Sequence, residues 1–546
     1  MREMLRTQDI FLAVLFLGLF ALAARNAADP DLWWHLKTGQ LIVESKSVPH
    51  ADPFSFTRAG QPWIAHEWLS DVLLDELQST AGQAGLIVTF AAVIAGAFLL
   101  LYLRCGSNLF VAGVATLCAA LATRPLWGVR PQMLSLLLTS LWLLILERSE
   151  HNPKLLYWTL PLTLLWVNLH AAFAVGLALS ALFLVGQGIE GVMSGEKNMR
   201  SLGFPALILA FDLLLVPFNP NSVKLFWYPV ETLRSAAMQK YIAEWASPNF
   251  HRGEYAPLLL ITLATFGVLG CMRTKLRARD LLLLVVSFFA ALRSIRLIPL
   301  FALIAVPIVS RQVAAWLRTR SSRQGPAVHK VTFRPALNAA IVVAMAVFAA
   351  VHIAQVIRGQ PQAEAQNFPV GAVAFLQAHP PAGPVFNHYD WGGYLIWKLY
   401  PSTRVFIDGR ADVYGESLLR DFANTYQFKD DWQRLLERWK IQTVVVPRDS
   451  ALATGLREAP GWRVSYEDSQ AIILSAPSKV SLPCEITPVD PMHDSYSRYA
   501  RNYTCQGLLR VIMSANISPA ALYEYMGHKS RQAEGLYLLG MAVWNV

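Results

Sequence analysis

The chain has 546 residues, of which 54% are hydrophobic and 15% charged, with a mean hydropathy of +0.36. So many uninterrupted apolar runs exclude a soluble enzyme and describe a polytopic α-helical membrane protein. The net charge of +10 sits in short basic runs between apolar segments, which read as topology signals and not as a nucleic-acid surface.

Apolar runs lie at 10–24, 84–103, 108–122, 131–147, 155–168, 171–188, 202–218, 255–271, 280–292, 297–310 and 336–356. They predict about eleven spans, although several fall short of the ~20 residues a straight crossing needs. The first run is also short enough for a signal peptide cleaved near Ala21–Ala24; the side on which the C-terminus ends is the same either way. Counting Lys and Arg loop by loop places the clusters at 272–279 and 311–334 on one side with the N-terminus, the cytoplasmic one. Loops 26–83, 123–130 and 219–254, and the turns at 168–170 and 293–296, then fall outside, as does everything after about 357.

The first outer loop is the most polar part of the span region. Its segment 29–68 holds Asp29, Asp31, Asp52 and Glu67 with His35, His50 and His66 among Trp33, Trp34, Trp63 and Trp68. A belt of interfacial tryptophans with ordinary loop charges accounts for that composition too. The same face, however, gathers Arg130, Asn168, His170, Arg293 and Arg296. Ionisable groups at span ends are costly unless paired or used. Arginines suit a phosphate or diphosphate, and a carboxylate can take the proton of an attacking hydroxyl. Asp29 and Asp31, separated by Pro30, are expected to project to one face of an extended segment.

Beyond 357 the composition changes. VFNHY (385–389), RVFID (404–408), TVVVP (443–447), WRVSYE (462–467) and AIILSA (471–476) read as strands, and 369–379, 391–399, 415–427 and 430–439 as helices. The expected organisation is a transmembrane domain (1–356), an extracytoplasmic α/β domain (357–480) and a short helical tail (481–546) resembling one helical-hairpin repeat. Asp408 and Arg410 follow a strand end, where ligand-facing residues gather; a salt-bridged turn is the plainer account. Cys484 and Cys505 are the pair expected in an oxidising compartment and are candidates for a disulfide.

DPDLWWHLKTGQLI, the DPFSFT and HEWL stretches, RPQ, NLHAAF, DWGGYLIW and FIDGRADVY resemble a group of bacterial membrane proteins of the GT-C superfamily. More distantly, DPDLWWH is similar to the acidic first-loop motif of oligosaccharyltransferase and protein mannosyltransferase catalytic subunits. The resemblance reaches to about residue 480. It implies a glycosyltransferase using a polyprenyl-phosphate-linked sugar, with a glycan, lipid or protein acceptor, at the outer face of a bacterial cytoplasmic membrane. The implied acidic catalytic position is Asp29 or Asp31, expected to act as the general base; Glu67 is a further catalytic candidate. His35, His66, Arg130, Asn168, His170, Arg293, Arg296, Asp408 and Arg410 are the candidate substrate contacts. The second metal-binding acidic motif of the oligosaccharyltransferases has no match here, so the cofactor stays open: a divalent metal is compatible and not required. A transporter, flippase or scaffold for lipid-linked glycans is the rival reading; it calls for charged groups at both faces. Membrane lipids are expected partners and nucleic acid is not.

Overall fold

The computed structural model describes residues 7–476 except 107, 196–198, 272–275, 322–334 and 430. Residues Met1–Pro477 form one compact unit. The tail from 481, with Cys484 and Cys505, lies outside the described residues.

The chain opens with α1 (Thr7–Ala23) and, inside the first loop, α2 (Leu32–Ser45). Then follow α3 (Trp68–Arg104), α4 (Leu109–Thr123), α5 (Gln132–Ser149), α6 (Thr159–Leu169), α7 (Phe173–Met193) and α8 (Gly203–Leu215). Two short helices, α9 (Tyr228–Arg234) and α10 (Ala236–Tyr241), precede α11 (Ala256–Cys271), α12 (Ala278–Arg293), α13 (Ile298–Ser321) and α14 (Pro335–Arg358). Every apolar run of the sequence is therefore a helix. Among the described residues 6 helices are long and apolar enough to cross a membrane, and α1 and α8 are shorter apolar helices. The chain is a multi-pass membrane protein.

Helix α3 is kinked at Gly82, just before its apolar stretch begins. Its first part, with Asp71 and Leu74 buried, belongs to the first loop and packs along α2. At the far end of α3, Arg104 pairs with Glu147 at 3.0 Å and also donates to the Leu303 carbonyl, while Arg311 reaches the same Glu147 at 3.4 Å. Arg279 pairs with Glu150 and Asp280 nearby in sequence and space. Arg104, Arg311 and Arg279, the last two in or beside the basic clusters of the sequence, are thus paired with carboxylates.

The C-terminal part carries α15 (Gln360–Asn367), α16 (Val370–Ala378), β1 (Val385–Asn387), α17 (Gly392–Leu399), α18 (Ala411–Tyr426), α19 (Trp432–Arg438), β2 (Thr443–Pro447), α20 (Ala451–Glu458), β3 (Arg463–Glu467) and β4 (Ala471–Ser475). The strands form a 4-stranded sheet in the order β1-β2-β4-β3, parallel between β1 and β2 and antiparallel elsewhere. Its two faces feed two cores. Val385, Val445 and Ile473 join the large core shared with the membrane helices, whereas Phe386, Val444, Val446, Ile472 and Leu474 face α18–α20. Burial on both faces explains why β2 and β4 read as continuous apolar runs and not as alternating ones.

RVFID is not a strand of this sheet, and the structure gives the reason. Val405 exchanges backbone hydrogen bonds with Phe54 and Phe56 of the first loop, each 3.1 Å. On its other side, the Asn387 side-chain oxygen accepts from the Phe406 amide at 2.8 Å. With its backbone satisfied by the first loop and an asparagine side chain, the segment has no need of a strand neighbour.

An ion-pair network locks the same junction. Arg410 lies between Asp408 (2.7 Å) and Asp52 of the first loop (2.8 Å), its guanidinium over the Trp63 ring at 4.4 Å. The Tyr414 hydroxyl donates to Asp408. All three charged groups are buried, and removing one partner of such a set leaves an uncompensated charge. Arg410→Ala is expected to destabilise the protein by about 3–5 kcal/mol, seen as a lower Tm of the purified protein in detergent. An unchanged Tm would mean that the junction is held elsewhere.

Candidate active site

The segment leaving α1 turns sharply at Asp29-Pro30-Asp31. The Asp29 carboxylate accepts the Asp31 amide at 3.0 Å, an Asx turn that satisfies one of the free donors at the mouth of α2. Asp31 itself is in the helical region, so the segment is not extended there. The consequence is chemical, because the two carboxylates take different partners.

Asp29 faces Arg130, 3.4 Å away, and Arg130 reaches on to Glu244 at 2.5 Å and to the Leu126 carbonyl at 3.0 Å. Arg296 meets the other oxygen of Glu244 at 3.3 Å. Burial raises the Asp29 carboxyl while Arg130 pulls against it. At Glu244 burial is outweighed by Arg130 and Arg296, which hold the carboxyl below its ordinary value.

Among the described residues Asp31 forms no ion pair with a cation. It accepts from the Trp34 indole at 3.1 Å and lies against the backbone of Gly409. A Cβ at Gly409 would fall on the Asp31 carboxylate, and one at Gly393 would sit 2.6 Å from the Pro30 carbonyl. These are the glycines of FIDGRADVY and DWGGYLIW: they let the C-terminal part close on the acidic turn. The Tyr389 hydroxyl donates to the Gly409 carbonyl at 3.2 Å. Burial, then the neighbouring Asp29 charge, push Asp31 up to about 7.

A second cluster lies one helical turn further along α2. Glu67 is ringed by three imidazoles, His66 at 3.4 Å, His170 at 3.5 Å and His35 at 3.7 Å. Against burial, these hold it well below the usual carboxylate range. His35 also bonds Asp71 at 2.5 Å and stacks on Trp34, 3.6 Å between centroids. At His35 the Asp71 carboxylate overcomes burial and raises the imidazole. His170 is the opposite case: burial lowers it to about 4. Its Nδ1 accepts the Ala172 amide at 3.1 Å, which makes Nε2 the protonated nitrogen facing Glu67. Asn168 accepts from the Trp68 indole at 2.7 Å and donates to the Phe218 carbonyl at 2.9 Å, tying the α6 end to the start of α3.

Between α1, α14 and the turn at 124–128 runs a cavity of about 800 Å³. One end is apolar, with Gly18 and Phe348; the other carries Arg25, Asn26, Asp29 and Arg124, where the Asn26 side chain donates to the Val356 carbonyl at 2.9 Å. Helix α14 packs along α1 and leaves most of its remaining apolar surface exposed. Arg25 donates to the Arg124 and Trp127 carbonyls at 2.7 and 3.1 Å. Burial and the nearby Arg124 and Arg130 lower Arg25 from its ordinary value, as befits cations gathered without enough anions.

Of the residues singled out from sequence, the fold brings together Asp29, Asp31 and Arg130, with Arg296 joined through Glu244. It also joins Glu67, His35, His66 and His170. Arg293 stands apart, exposed and donating to Gln239 at 3.0 Å, and Asp408 and Arg410 are spent on the buried network behind Gly409. Arg25 and Asp71 were not foreseen. Arg25 directly follows the first apolar run, where an arginine is read as a snorkelling anchor. Among the described residues no group of three or more His, Cys, Asp or Glu is arranged to hold a metal ion. The carboxylate next to Asp31 is taken by Arg130, and no step below is routed through a metal.

The sequence matches no protein-family profile and no curated protein. Among solved structures it is similar to the archaeal oligosaccharyltransferase AglB from Archaeoglobus fulgidus, in complex with an inhibitory peptide and a dolichol-phosphate. The TM-score is 0.52 at 11% identity, over 87% of this chain and 74% of that one. ArnT from Cupriavidus metallidurans bound to undecaprenyl phosphate aligns over 85% of this chain and 97% of its own, at 13% identity and a TM-score of 0.42. The AglB match shows the architecture: this is a membrane protein with the GT-C fold.

The Asp31 environment makes a prediction of its own. A carboxyl raised from 3.8 to about 7 favours the folded state less and less as pH climbs from about 4 to about 7, since only the unfolded chain ionises freely there. Asp31→Asn, neutral throughout, is expected to gain Tm over wild type across that interval and to hold the gain above it. A Tm difference independent of pH would contradict the raised value.

Proposed function

We propose that the protein is a glycosyltransferase that moves a sugar from a polyprenyl-phosphate carrier to an acceptor hydroxyl at the outer face of a bacterial cytoplasmic membrane. The observation that carries this reading is the cavity. It leads from an apolar mouth between α1 and α14 to two arginines and Asp29, next to a carboxylate whose proton affinity is matched to neutral pH. An isoprenoid tail fits the first end and an anionic headgroup the second. That the AglB structure of the same fold holds a dolichol-phosphate supports the class of carrier. The basic clusters at 272–279 and 311–334 support placing the acidic turn and the α/β part outside, with all eleven apolar helices crossing.

In this mechanism Arg25 and Arg124 hold the carrier phosphate, a role that sequence reasoning gave to Arg130, Arg293 or Arg296. Arg130 instead neutralises Asp29. Asp31 accepts the proton of the acceptor hydroxyl as its oxygen attacks C1 of the sugar. The C1–O bond to phosphate breaks on the opposite side, with inversion, and the leaving phosphate keeps the electron pair under the arginines. The Glu67 histidine cluster flanks α2 and supports the turn. The acceptor enters beside Gly409 and Tyr389, so that the C-terminal part forms a wall of the site.

The test is sugar transfer in membranes supplied with a radiolabelled lipid-linked sugar pool. Asp31→Asn is expected to lower the rate by about 10² to 10⁴, and Arg25→Ala with Arg124→Ala to weaken use of the carrier. Exposed Arg293→Ala serves as the near-neutral control. The wild-type rate rises with pH through about 7, as Asp31 loses its proton. Wild-type transfer by Asp31→Asn and Asp29→Asn, singly and together, would refute the assignment.

A further inference from the structure

Helix α14 is long and apolar enough to cross a membrane, and its residues 339–351 carry no polar side chain. His352 ends that run, about 9 Å before the last residue of the helix, Arg358. It lines the cavity between α1 and α14. Among the described residues its imidazole forms no hydrogen bond or ion pair and stacks on Phe348, 6.2 Å between centroids. Gln355 and Arg358, the other polar side chains at this end of α14, do not line the cavity. An ionisable group at such a depth is kept where it meets a partner or lines a polar path.

Two ties fix the place of the imidazole along α1. A Cβ at Gly18 would lie 3.5 Å from the end of the Met345 side chain, and Asn26 Nδ2 donates to the Val356 carbonyl at 2.9 Å. His352 comes one turn after Phe348 and one turn before Val356, on the same helix face. It therefore stands at the border between the apolar end of the cavity and the end that carries Arg25 and Arg124. Arg25 donates to two carbonyls, neutral acceptors that leave its charge uncompensated, and the nearby Asp29 faces Arg130. The polar end thus offers positive charge, and the one polar side chain of α14 facing the cavity adjoins it.

We infer that His352 is a third ligand of the carrier phosphate, donating a ring N–H to a phosphate oxygen on the side of the isoprenoid tail. The inference rests on the reading of this cavity as the carrier site. A neutral imidazole supplies one donor without adding a charge to the apolar end, where a third guanidinium would be costly. As the C1–O bond breaks, the phosphate gains negative charge and the hydrogen bond from His352 strengthens. An interaction that grows along the reaction lowers the barrier as well as holding the carrier.

The experiment measures binding of farnesyl phosphate to the full-length protein in detergent, with farnesol as the tail-only probe and inorganic phosphate as the headgroup-only probe. The wild type is expected to bind farnesyl phosphate more tightly than either. His352→Leu is expected to weaken farnesyl phosphate about tenfold and to leave farnesol unchanged. His352→Gln, which keeps an N–H donor, stays within about threefold of the wild type. His352→Ala takes the place of His352→Leu if that variant does not fold. Wild-type affinity in His352→Leu, beside weakened binding by the Arg25→Ala and Arg124→Ala double variant, overturns the role of His352 and leaves the carrier site standing. Equal weakening by His352→Leu and His352→Gln overturns the hydrogen bond in the same way. If the wild type binds farnesyl phosphate no better than farnesol or inorganic phosphate, the carrier reading itself fails, and the role of His352 with it.

Discussion

Arg130 determines what the acidic turn can do. Held between Asp29 and Glu244 and anchored to the Leu126 carbonyl, it supplies the positive charge that lets two carboxylates stand two residues apart in a poorly hydrated pocket. Asp29 takes that charge; Asp31 is left with one indole N–H and the backbone of Gly409. Two chemically identical groups thereby acquire different environments, one neutralised by a guanidinium and the other with its proton affinity raised. The rest of the fold protects this asymmetry. The Asx turn sets the divergence, the glycines at 393 and 409 admit the C-terminal part against the turn, and the buried Asp52–Arg410–Asp408 network keeps it there.

The cavity and the acidic turn divide the work along the chain. In the proposed reaction the carrier side is built from the simplest material, the end of α1 and one face of α14, with Arg25 and Arg124 at its polar rim. The side away from it is assembled from distant segments: α2, the α6–α7 turn and the loop before α11. The Glu67 cluster joins these segments, with three imidazoles around a single carboxylate and Asp71 fixing His35. The charge of Glu67 draws the imidazoles together and the His35–Asp71 hydrogen bond fixes one of them, which gives α2 a footing.

Much of this was legible in the sequence, for identifiable reasons. Apolar runs persist whatever their packing, so the helices that carry them could be located; among the described residues 6 of them are long and apolar enough to cross a membrane. Strands β2 and β4 were visible because a sheet buried on both faces writes an unbroken apolar run. RVFID carries the same signature and pairs with the first loop instead, since local sequence records burial and not the hydrogen-bond partner. The first loop stood out through its charge density beside the membrane, and Asp29, Asp31, Glu67, His35 and His66 do gather around α2. Roles within the set were not legible. Arg130 and Arg25 look alike in sequence, and only three-dimensional pairing shows that one is occupied by carboxylates while the other faces a cavity. Asp408 and Arg410 looked ligand-facing because a strand end followed by glycine often is; here the glycine faces the site and its charged neighbours turn inward to Asp52.

The most direct measurement is an experimental structure of the protein in lipid nanodiscs with a polyprenyl phosphate added. The account predicts the isoprenoid chain between α1 and α14, and the phosphate within hydrogen-bonding distance of Arg25 and Arg124, beside Asp29. A phosphate bound instead at Arg293, or a carrier seated anywhere other than this cavity, would contradict it.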